Sequence, residues 1–148
     1  MELISAAGIT FMLALILLHY NELPTLIPRH YNANGQPDGF GDKSIIFSLP
    51  IAAILVYVLL SLALRFPQLT NYPVTKSKEN AERQYDNVQL MLRVLKTLIV
   101  LIFCYLTYAT IQNGLGKMMG LGMLFLPLVI LSLLVCITFF IYRGYKVS

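Results

Sequence analysis

At 148 residues, 57% of them hydrophobic and only 12% charged, the chain is one domain with about half the charge of a soluble protein. Its charges fall in short clusters between long uncharged runs, which excludes a soluble fold with a charged stripe along every helix. The net charge of +4 and pI near 9.1 suit the Lys/Arg excess of membrane-protein loops; no basic stripe with interleaved aromatics points to nucleic acid.

The first uncharged run, Leu3 to Asn21, is long enough to cross a hydrocarbon core. A cleaved signal peptide would want Lys or Arg before the run and a small-x-small site after it. Only Glu2 precedes it and His19-Tyr20-Asn21-Glu22 follows, so a retained helix is expected. The second run, Ser44 to Leu64, closes on Arg65 and Pro67, with Pro50 near its start where a missing N–H costs least.

Between the second and third runs, Phe66 to Thr75 is turn-rich, with Pro67 and Pro73. From Ser77, a plausible N-cap, the Lys-Glu-Asn-Ala-Glu-Arg-Gln-Tyr-Asp pattern predicts a polar helix running into the third span, about 91–111. Arg93 and Lys96 are placed to snorkel. The fourth span is expected over 118–142, kinked near its centre by Pro127. Gly116 and Gly120 have the spacing of a small-xxx-small packing motif, and a glycine-rich loop accounts for them equally well. Tyr105, Tyr108, Tyr142 and Tyr145 lie near helix ends, as interfacial anchors do. Cys104 and Cys136 lie within apolar runs, where cysteine behaves as a small hydrophobe.

The expected architecture is an all-α integral membrane protein with four transmembrane helices and a structured loop between the first two. Three stretches compose it: a two-helix unit over 1–65, a linker and polar helix over 66–90, and a second helix pair over 91–148. With both termini on one side, that side holds Arg65, Lys76, Lys78, Arg83, Arg93, Lys96, Arg143 and Lys146; the other holds Arg29, Lys43 and Lys117. The positive-inside rule therefore predicts a plasma-membrane protein with both termini cytoplasmic and the 22–43 loop outside.

In that loop Asn34-Gly35 is a strong hairpin signal for a type I′ turn, pairing Ala33 with Gln36, Asn32 with Pro37 and Tyr31 with Asp38. Pro37-Asp38-Gly39 is a second turn signal that leaves the register open. Leu23, Pro24, Ile27, Pro28, His30, Tyr31, Asn32, Gly35, Asp38 and Gly41 together form a Leu-Pro…Ile-Pro-x-His-aromatic-Asn…Gly…Asp-x-x-Gly pattern between two apolar helices. That pattern resembles the family of domain of unknown function 1648, found at the N-terminus of membrane proteins similar to the Sdp-type toxin-immunity protein. The likeness covers roughly residues 1–65. The second half, including Asn80 and Tyr85, looks like shorter four-helix members. The resemblance implies this fold and a membrane location, with an immunity or signalling role as one option.

His30, Asp38 and Asp42, with His19 and Glu22 at the adjacent helix end, are the candidate metal ligands. A closed zinc site wants four well-placed ligands, and regular pairing around the turn would send His30 and Asp38 to opposite faces. A histidine that hydrogen-bonds the loop to the helix ends is the expected role, with no metal or cofactor. No Gly-x-Ser-x-Gly or His-Glu-x-x-His motif occurs, and no Asp or Glu lies inside an expected span. The leading reading is a non-enzymatic membrane protein whose outer loop recognises a peptide or a membrane-protein partner through Pro28, His30, Asn32, Gly35, Asp38 and Gly41. A metal-dependent membrane enzyme and a small homo-oligomeric transporter or pore are the alternatives.

Overall fold

The computed structural model describes residues 1–66 and 81–146. Ser77, Asn80 and the turn-rich 67–75 stretch lie outside the described residues. Four helices carry the architecture: α1 (Glu2–His19), α2 (Ser48–Arg65), α3 (Ala81–Gly114) and α4 (Phe125–Lys146). Between α1 and α2 the chain makes a hairpin of β1 (Leu26–Tyr31) and β2 (Pro37–Asp42), followed by a 3₁₀ turn over Lys43–Phe47 that leads into α2. All four helices are long and apolar enough to span a membrane, and only 11–22% of each apolar window is buried within the chain. The remaining apolar faces therefore require lipid, and the protein is a multi-pass membrane protein.

α3 is the central post, packing against α1, α2, α4 and β1. The polar segment from Ala81 does run unbroken into the third span, as the absence of Gly or Pro before Gly114 predicts. Beneath the hairpin, Ile16, Leu23, Ile27, Ile46 and Ile111 form one buried core. A second core of Met12, Ala53, Val100 and Cys104 joins α1, α2 and α3 at mid-bundle. There α1 presents Ser5 and Gly8 to α3. Ser5 Oγ lies 3.1 Å from Thr97 Oγ1, and the Cys104 thiol donates to the Gly8 carbonyl at 3.2 Å. Small residues permit this approach: a Cβ on Gly8 would lie 2.9 Å from Val100 Cγ1.

The fourth span departs from its expected limits. Helix α4 begins at Phe125, and residues 118–124 are irregular. Gly120 and Gly122 hold φ of 82° and 87°, which no helix accommodates. Pro127 accordingly lies in the first turn of α4, where its missing N–H belongs to a donor the helix leaves unpaired anyway, and it kinks nothing. Gly116, at φ 70°, and Gly120 are loop residues rather than a helix-packing motif.

Candidate functional site

The hairpin turn is built by Asn32. Its Oδ1 accepts from the amides of Asn34 (2.9 Å) and Gln36 (3.0 Å). Its own N–H donates to the Gln36 carbonyl at 2.9 Å, and its carbonyl accepts from Gly35 at 2.8 Å. Gly35 alone in the turn has positive φ (75°), so this is a three-residue loop ending in a left-handed glycine, not a type I′ turn. Asn32 therefore faces Gln36, one step from the register read off Asn34-Gly35. A type I′ turn needs positive φ at Asn34 too, and the side chain of Asn32 supplies the alternative.

Two irregularities follow along the ladder. Tyr31 pairs with Pro37 but His30 with Gly39, and Pro28 pairs with Phe40, so Asp38 and Arg29 are passed over. Each bulge shifts side-chain parity. The expectation that His30 and Asp38 project to opposite faces is therefore wrong: His30 Nδ1 lies 2.5 Å from Asp38 Oδ1 across the strands. Both are solvent-facing, with side chains 70% and 42% exposed, so His30 ties strand to strand rather than loop to helix ends. With Asp38 accepting, Nδ1 carries the hydrogen. Pro28 is buried in β1, and Gly41 leaves room for the Arg29 stem, whose Cδ would lie 3.0 Å from a Cβ there.

The other candidate ligands are occupied elsewhere. Asp42 Oδ1 accepts from the Ser44 amide at 2.9 Å and caps the 3₁₀ turn; the Ser44 hydrogen bonds, side chain first, hold its carboxyl below the usual value. His19 pairs locally with Glu22 at 3.2 Å. Among the described residues, no three His, Cys, Asp or Glu side chains gather at one point.

The hairpin is fixed from below by the second half of the chain. The Leu121 amide donates to the Gly35 carbonyl at 2.7 Å. The Asn113 side-chain amide donates to the carbonyls of Ala109 (2.7 Å) and Gly120 (3.0 Å) and accepts from the Gly120 N–H. Tyr105 donates to the Leu121 carbonyl at 2.8 Å and stacks on Phe125 at 4.9 Å. It braces the loop, a role beyond the interfacial anchoring its position suggests. Tyr31 reaches down to Thr110 Oγ1 at 3.3 Å, and burial pushes its phenol above the ordinary value. Lys43 Nζ caps the end of α1, donating to the Tyr20 (3.1 Å) and Leu23 (3.4 Å) carbonyls, with its ammonium over the Tyr20 ring. Above this frame a cleft of about 490 Å³ opens between Pro28, Gln36, Pro37, Phe40, Asn113 and Met118–Met119. Phe40 is 57% and Met119 98% exposed at its rim.

A second polar cluster sits at the opposite end of the bundle. Lys96, expected to snorkel, is instead 1% exposed and donates to Glu2 Oε1 (2.7 Å) and Ser61 Oγ (3.0 Å), with its ammonium over the Tyr57 ring. Tyr57 donates to Glu2 Oε2 at 2.7 Å. The pairing joins residues 94 apart in sequence, so no local pattern announces it. Nearby, Gln84 and Asn87 donate to the α4 carbonyls of Gly144 (2.6 Å) and Phe140 (2.9 Å). Tyr85 accepts from Gln89 Nε2, which also donates to the Leu64 carbonyl at the end of α2.

These features define a four-span membrane protein whose first helix pair is joined by a braced hairpin. Residues 7–54, which take in the hairpin, match the family model described as "Domain of unknown function (DUF1648)". An uncharacterized protein of Archaeoglobus fulgidus is 38% identical over 65 residues, covering 38% of this chain and 36% of that protein. No solved structure matches the chain.

Proposed function

We propose that the protein is a non-enzymatic recognition protein of the plasma membrane, presenting its hairpin outside the cell to a peptide or a membrane-protein partner. The observation that carries this reading is the bracing of the hairpin: its turn is bonded to the 118–124 connector, its Tyr31 to α3 and Lys43, just past its second strand, to the end of α1, while His30, Asp38, Phe40 and Met119 stay exposed. A loop fixed in advance loses little entropy on binding, which is how a small surface gains affinity. The exposed pair of aromatic and methionine beside a His–Asp pair offers both an apolar anchor and an oriented hydrogen-bonding edge. The eight-to-three Lys/Arg asymmetry supports a cytoplasmic location for both termini.

Selection from a peptide library on the protein in nanodiscs tests the reading. Enriched peptides should lose roughly tenfold or more in affinity to Phe40→Ala or Met119→Ala, the loss of one buried interface anchor. No enrichment, or enrichment indifferent to both substitutions, refutes hairpin recognition.

A further inference from the structure

We infer that the cavity at the end of the bundle remote from the hairpin binds a phosphate-bearing anion through Arg65 and Arg93. The cavity measures about 630 Å³ and lies between α1, α2 and α3, a size within the range of small-ligand sites. Tyr57, Ser61 and Arg65 stand one turn apart on α2, and Arg93 and Lys96 one turn apart on α3, so two stripes converge on it.

The charge balance decides the ligand. Among the described lining residues Glu2 is the one acid, and it is engaged by Lys96 at 2.7 Å and by Tyr57. Among the described residues that leaves the two guanidinium groups without a paired acid. The Arg65 guanidinium makes no hydrogen bond or ion pair with any described residue, and the Arg93 guanidinium makes one long contact among them, 3.4 Å to Gln89 Oε1. Two guanidinium forks suit the oxygens of a phosphate, which accepts paired N–H donors, better than a point-like anion. Arg65 ends α2, at the depth where lipid phosphates lie, and Leu64 and Leu90 give the cavity apolar walls that a glycerol stem would cover.

The shared chemistry has two sources, an anionic lipid head group and free phosphate, and one experiment separates them. The full chain is reconstituted in nanodiscs of phosphatidylcholine with or without phosphatidylglycerol, and retained lipid is read by native mass spectrometry. Phosphatidylglycerol should be retained by the wild type, with about fivefold loss in each of Arg65→Gln and Arg93→Gln, the effect of one basic residue at a membrane surface. Arg93→Lys, which keeps the charge but not the fork, should fall between. Arg143→Gln, on α4 and outside the cavity, should leave retention unchanged. If inorganic phosphate stabilises the wild type in pure phosphatidylcholine and does not stabilise Arg65→Gln, the anion is free rather than lipid-borne. Both arginines are exposed and bond little, so the variants should unfold at the wild-type temperature. Loss in Arg143→Gln equal to that in Arg65→Gln means diffuse surface attraction and overturns the site. So does the absence of any effect of lipid or phosphate.

Discussion

Gly35 meets two demands at one position. Its φ of 75° is costly for any residue with a Cβ, and a Cβ there would also lie 2.7 Å from the Gly122 carbonyl oxygen. Gly35→Val should therefore release both the turn and its seat on the 118–124 segment, costing at least 1–2 kcal/mol on the dihedral alone, about a tenfold or greater loss of amide protection across 26–42. Ala33→Val, at an exposed position of negative φ, should cost little. Equal protection in both variants would mean that the glycine does not organise the loop. His30 behaves differently. An exposed hydrogen-bonded pair contributes at most about 1 kcal/mol, so His30→Leu should leave the hairpin folded and hydrogen exchange within roughly fivefold of wild type. The His30–Asp38 contact was hidden from the sequence because parity counting assumes an unbroken ladder, and this ladder carries two register shifts. Asn32, Gly35 and the turn between them were legible, though not the turn type.

At the scale of elements, the α1–α3 contact has a residue-level cause in Gly8. Gly8→Leu should drive Val100 and Cys104 apart and destabilise the bundle by about 1–3 kcal/mol, the usual cost of overpacking, while Gly116→Leu should do so only through its φ, since no atom lies within 4 Å of a Cβ there. Thermal unfolding in detergent of the two variants ranks them; a harmless Gly8→Leu would remove the small-residue explanation of the contact. The Glu2–Lys96 pair carries an asymmetry of the same kind. Lys96 is 1% exposed and Glu2 54%, so Glu2→Ala strands a buried cation, at a cost of order 3 kcal/mol, whereas Lys96→Met leaves an acid that water can reach. Glu2→Ala should lower the unfolding temperature more; the reverse order would mean that Lys96 finds another partner. The spans of α1, α2 and α3 were legible because charges or breakers bound their apolar runs. The start of α4 was not, because Met118 to Leu124 is uncharged and apolar and only its docking on Gly35 reveals it as loop.

For the molecule as a whole, the alternating helices put the hairpin at one end and the Glu2–Lys96 cluster with both chain ends at the other. Single-cysteine labelling in a Cys104→Ser, Cys136→Ser background tests which end faces the cytoplasm: Asn34→Cys should react with an impermeant maleimide from outside and Arg83→Cys from inside only. The opposite pattern would invert the proposed orientation without changing the fold. The up-down order followed from the sequence, since four apolar runs that each cross the membrane must alternate in direction. The two polar ties between the chain's halves did not, because each joins residues that only the assembled bundle brings together.

The tie at the hairpin end limits how far the family segment is a portable module. Residues 7–54 end before α3, yet the Gly35 carbonyl inside them is answered by the Leu121 amide, and Tyr31 by Thr110. Transplanted onto a foreign helix pair, the segment would keep its own turn, which Asn32 closes internally, and lose its seat. A chimera that preserves hairpin geometry must therefore import the Thr110–Gly122 stretch along with it, so the unit of exchange is two non-contiguous stretches rather than one.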